Sequence, residues 1–93
     1  MATVRILPTS FTFNKEGGSA NFTIINKPSG GLWTEYITPE VDWVRSISIN
    51  NNVVTITVTE NTTLLRRETA ISFIDKNDDN NYTNLTIIQN GDG

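Results

Sequence analysis

The chain contains no cysteine and no histidine. Without cysteine there is no disulfide to staple the fold, no thiol nucleophile and no thiolate metal site. Without histidine the commonest general base and the commonest transition-metal ligand are missing, and with them the Ser/His and Cys/His arrangements. Glu16, Glu35, Glu40, Asp42, Glu60 and Glu68 include no pair that sequence spacing places across a cleft, as glycoside hydrolysis requires. A protein without catalytic function is expected, with no cofactor and no metal.

Long hydrophobic runs are lacking as well. No segment approaches the ~20 apolar residues of a membrane helix, and Met1-Ala2-Thr3-Val4-Arg5-Ile6-Leu7-Pro8 lacks the charged start and apolar stretch of a signal peptide. The Met-Ala start is that expected of a short complete gene product rather than an excised domain. Positive charge is scarce: 7 Lys and Arg against 10 Asp and Glu give a net charge of −3, and no basic cluster interleaves with aromatics. Neither nucleic acid nor membrane is an expected partner.

What is present is β-sheet chemistry. At 93 residues the chain is one domain, 1–93, that buries only roughly 60–65% of its unfolded surface, so each large apolar residue matters. Its apolar runs are short, rich in Val, Ile, Thr and Phe, and bounded by Gly, Asn, Asp or Pro, with no helical period. Strands are expected over residues 11–14, 19–26, 33–38, 43–49, 53–59, 67–75 and 82–90. Ala20, Phe22 and Ile24 should share one face, as should Val54, Ile56 and Val58. Turns are expected at Lys15-Glu16-Gly17-Gly18, Pro28-Ser29-Gly30-Gly31, Pro39-Glu40 and Asn50-Asn51-Asn52, where Asn tolerates positive φ. A polar loop over residues 76–81 should join the last two strands. About seven antiparallel strands in two sheets fit an immunoglobulin-like sandwich better than a barrel.

The order of several features carries a resemblance. Gly17-Gly18 precedes a core strand; Trp33 follows, then Trp43-Val44-Arg45-Ser46, residues 54–61, Arg67 before Ile71-Ser72-Phe73, and a closing Leu85-Thr86-Ile87-Ile88-Gln89-Asn90-Gly91. Over residues 7–91 this resembles the BACON domain, an immunoglobulin-like module of gut Bacteroidetes proteins and their phages. The departures are a shorter turn after Ser46, and Ile88 where the family has a small polar residue. Trp33 and Trp43 read as core plugs between the sheets. Arg67 and Gln89 read as polar groups that satisfy loop carbonyls around Asn61 and at the sheet edge.

Trp33 and Tyr36 are the candidate contact residues for a glycan or a protein partner. They have opposite parity, so one of them faces solvent in a regular strand, whereas Trp43 reads as core. The Asp75-Lys76-Asn77-Asp78-Asp79-Asn80-Asn81 segment spaces oxygen ligands as a calcium loop does. Asn80 stands where an EF-hand needs Gly, and Thr86 where it needs Glu, so a polar hairpin tip is the reading. The sequons at Asn21, Asn61, Asn81 and Asn84 are those expected by chance in a chain rich in Asn and Thr.

Function is therefore expected at the surface: sheet edges, loop tips, and single apolar residues such as Ile25, Leu65 and Ile74. The leading expectation is a stand-alone auxiliary (decoration) protein of a phage virion, bound to capsid or tail proteins, as the resemblance implies. The alternative is a carbohydrate- or mucin-binding or spacer module from a larger surface glycoside hydrolase, located at the bacterial surface or in the periplasm.

Overall fold

The computed structural model describes residues 3–37 and 40–92. Its strands are β1 (Arg5–Leu7), β2 (Ser10–Phe13), β3 (Gly18–Ile25), β4 (Leu32–Tyr36), β5 (Val44–Asn50), β6 (Val53–Val58), β7 (Arg67–Asp75) and β8 (Asp78–Gln89). They form two four-stranded sheets, one ordered β1-β3-β6-β5 and the other β2-β8-β7-β4. No helix is present among the described residues.

The period-two pattern decides which face each strand buries. Phe22 and Ile24 of β3 and Val54, Ile56 and Val58 of β6 are buried, while their odd-numbered neighbours are not. The opposing sheet contributes Phe13, Leu32, Ile71, Phe73, Leu85 and Ile87. Phe11 packs edge-on against both Phe13 and Phe22 and so ties the two sheets together. Between the facing layers lies one continuous apolar core, which Trp43 and Val44 join.

Three expectations about the strands are corrected. There are eight strands rather than seven, because Arg5–Leu7 pairs with β3; three residues are too short a run to show alternation. Not all pairs are antiparallel: β2 runs parallel to β8, with Thr86 N–H donating to the Thr9 carbonyl and Asn90 N–H to that of Phe13. Side-chain alternation reports faces and carries no strand direction. Here Pro8, whose peptide bond to Leu7 is cis, and Thr9 carry the chain from one sheet to the other without reversing it.

The polar loop expected over residues 76–81 is also much shorter. Lys76 and Asn77 form a two-residue turn, and β8 begins at Asp78. The register then jumps from Asp75↔Asp78 to Ile74↔Tyr82, which leaves residues 79–81 as a bulge. The expected turns at Gly17 (φ 81°) and Asn51 (φ 55°) are present, and Asn51 takes the positive φ expected of an Asn there. The end of the 33–38 strand and the Pro39 breaker lie outside the described residues.

Candidate functional site

The two outer faces of the sandwich differ. On the β1-β3-β6-β5 sheet the outer side chains include a small polar group, in which Ser19 bonds Thr57 through their hydroxyls and Thr55 donates to the Asn21 amide oxygen, beside exposed Leu7, Ile25 and Val53. The β2-β8-β7-β4 sheet carries an apolar row. Trp33 of β4 pairs across to Ile74 of β7, which pairs to Tyr82 of β8. Parity places all three outside, because Ile71, Phe73 and Leu85 face in. Trp33 is 58% exposed and Tyr82 51%, with Ile74 half-buried between them.

At strand spacings of about 4.8 Å, the two aromatics flank Ile74 at a separation of about 10 Å. A second row, Glu35, Ser72 and Asn84, lies alongside, its Ser72 hydroxyl donating to Asn84 Oδ1. On the other side the Lys76 ammonium stands 5.0 Å from the Trp33 ring centroid. Trp33, Thr34, Glu35, Ile74 and Asp79 line one shallow depression at the rim of the sheet. A partner would meet an apolar strip bordered by carboxylates, hydroxyls, one amide and the Lys76 ammonium.

Tyr36 is not part of this strip. It pairs with Ile71 on the inner face and packs half-buried against the core. Burial first, and then the Glu40 charge, push its phenol above the usual value. Of the two tryptophans read as core plugs, only Trp43 is one, at 7% exposure; Trp33 faces solvent. The parity difference within β4 thus holds, and Trp33 is the outward member.

Tyr82 was missed as a surface partner of Trp33. Its parity with Asn84 was legible, but the row exists only through the jump in register around residues 79–81. Ile74 belongs to the same row. Ile25 and Leu65, the other suspected apolar residues, are exposed away from it: Ile25 on the opposite sheet, Leu65 in the loop beyond β6.

The polar residues of the sequence pattern are occupied in holding the fold. Gln89, with no exposed surface, accepts from Arg67 Nε at 2.9 Å and donates to the carbonyls of Thr59 at 2.7 Å and Asn14 at 3.2 Å. Arg67 also donates to the Glu60 carbonyl, and its guanidinium lies 4.8 Å from the Trp43 ring centroid. Asn61 is buried, donating to the Leu65 and Asn90 carbonyls and accepting from the N–H and hydroxyl of Thr63. At the other end the Asp75 carboxylate accepts from the Asn77 N–H and the Asn81 amide. Among the described residues no buried side-chain polar atom lacks a partner, and no cluster of three acidic or metal-ligating residues occurs.

No family model matches the chain, and no curated protein matches it in sequence. Solved structures do match. A GH5 xyloglucanase from Bacteroides ovatus, determined in complex with a XXXG heptasaccharide, superposes with a TM-score of 0.73 at 14% identity. That match covers 96% of this chain and 19% of the xyloglucanase chain. A protein from Bacteroides thetaiotaomicron, solved by NMR, superposes with a TM-score of 0.62 at 14% identity, covering 98% of this chain and 89% of that one. At such identities the likeness is one of fold.

Proposed function

We propose that this chain is a non-enzymatic interaction module with an immunoglobulin-like, BACON-type sandwich, and that it serves as an auxiliary protein on a phage virion, docked on capsid or tail proteins. The observation that carries the reading is the Trp33–Ile74–Tyr82 row: large apolar side chains held outward on a rigid sheet. Isolated exposed apolar residues need no explanation, but a contiguous strip containing Trp and Tyr has the composition of a protein-contact centre. The buried polar side chains are consumed in structural bonds, which leaves the surface to do the work. The phage setting rests on the sequence resemblance, an associational support.

The test is mass spectrometry of purified virions. The chain should be present in stoichiometric amounts, and its absence would overturn the virion assignment. Trp33→Ala should abolish incorporation while circular dichroism stays that of the folded chain.

A second reading has an observation of its own. An aromatic strip bordered by Glu35, Ser72 and Asn84 also offers what a sugar needs, ring faces beside hydrogen-bonding groups, and the fold recurs within a xyloglucanase chain. Under this reading the chain is a carbohydrate- or mucin-binding or spacer module at the bacterial surface. Saturable binding on a glycan array, lost in Trp33→Ala, would favour it over the virion assignment; no binding to any glycan would remove the binding form of it.

A further inference from the structure

The four sheet edges are not equally protected. β1 has only three residues and runs into Pro8, and β2 has four. β4 carries the charge of Glu35. β5 is different: beyond an irregularity at Arg45 it runs straight through Ser46-Ile47-Ser48-Ile49-Asn50, without charge, proline or bulge. Natural edges are blunted by the devices this segment lacks. β5 ends its sheet, pairing with β6 alone among the described strands.

The direction of its backbone groups follows from the neighbouring pairs. Ile24 N–H donates to the Asn52 carbonyl, so Asn52, Val54 and Ile56 point their backbone groups at β3. The alternate residues Val53, Thr55 and Thr57 therefore bond to β5, through Asn50, Ser48 and Ser46. The N–H and C=O groups of Ile47 and Ile49 are left directed at the open edge. Their side chains face the core side and are only partly buried, with no described strand beyond them.

We infer that a second copy of this chain occupies this edge, pairing β5 antiparallel with its own symmetry mate about a two-fold axis at Ser48. The sequence is self-complementary about that residue. Ile47 falls opposite Ile49 of the other copy, and these are the residues whose backbone groups point to the open edge, so the two pairs exchange four hydrogen bonds. Their side chains meet as apolar cross-strand pairs and complete each other's burial. Ser46 falls opposite Asn50, and Ser48 opposite itself, continuing the small polar group of the outer face. No like charges meet in the ladder: Arg45 falls opposite the neutral Asn51. The contact is isologous and closes after two copies, with one continuous eight-stranded sheet. This inference is independent of what the Trp33 face binds, since that row lies on the other sheet.

The absence of cysteine makes the register directly measurable. At the two-fold axis, Ser48 and its mate form a non-hydrogen-bonded pair with Cα atoms about 4.5 Å apart, within the range a disulfide spans. Ser48→Cys should form a covalent dimer under mild oxidation, many-fold faster than Thr12→Cys, an exposed control on the other sheet. Light scattering should give twice the 10.4 kDa chain mass for the unsubstituted protein. Ser48→Lys, which sets two like charges face to face, should return a folded single chain. Single-chain mass at every concentration overturns the inference. So does cross-linking of Ser48→Cys no faster than the control, or a dimer that persists in Ser48→Lys, since it would run through another surface.

Discussion

Trp43 and Trp33 differ in face and in neighbours, and so in what their loss would cost. Trp43 is 7% exposed, covered by the Arg67 guanidinium and packed into the core. Trp43→Ala should lose about 3–5 kcal/mol of stability in urea unfolding. Trp33→Ala should change stability by no more than about 0.5 kcal/mol, because its indole stands outside the packed layers. Gln89 is a third kind of residue, polar and without exposed surface. Gln89→Leu keeps the volume but removes the acceptor for Arg67 Nε and the donor for the Thr59 and Asn14 carbonyls. The expected loss is about 2–4 kcal/mol, measured as a lower urea midpoint at unchanged slope. Asn61 shows why a sequon alone says little: its amide is buried in four hydrogen bonds, three to Thr63 and Leu65 of the neighbouring loop and one to the Asn90 carbonyl.

At the scale of elements, strands are held in place by turn chemistry and by which face they bury. Gly17 closes the β2–β3 connection at φ 81°, and a Cβ there would sit 2.6 Å from the Val58 carbonyl oxygen. Gly17→Ala should therefore cost at least about 2 kcal/mol, read from the thermal midpoint. In β4 the inner residue Tyr36 has its phenol raised by burial and by Glu40. Above its ordinary value near 10 the unfolded chain releases this proton before the folded one does, so the folded state binds more protons and stability falls as pH rises through that window. Tyr36→Phe should flatten this alkaline slope in denaturation followed from pH 8 to pH 11, while the unsubstituted chain retains it. The same parity that turns Tyr36 inward turns Trp33 outward.

At the scale of the molecule, the N-terminal strands complete both sheets. β1 extends one sheet beside β3 and β2 the other beside β8, and the Val4 N–H donates to the Asn81 side chain. A chain starting at Ser10 would lose fully buried Val4 and Ile6, about 3–6 kcal/mol of burial from a domain whose whole stability is about 5–15 kcal/mol. Its thermal transition should broaden or vanish. The body measures 45 × 23 × 17 Å, and the Trp33 row and the exposed Leu64–Leu65 loop lie toward opposite ends of its strands.

The sequence by itself determined the class of fold, most strand positions and the inward faces of β3 and β6, because alternation is a local property of a half-buried strand. It also marked Trp43, Arg67 and Gln89 as structural, since buried polar side chains must find partners and large apolar ones must be covered. Tertiary structure alone decided the direction of β2, the short turn and bulge that begin β8, and the meeting of Trp33, Ile74 and Tyr82 in one row. These depend on register and strand order, which are set by pairing between distant segments and leave no trace in local spacing. The parity within β4 said that Trp33 and Tyr36 must part; only the packed sheets could say that Trp33 is the one left facing out.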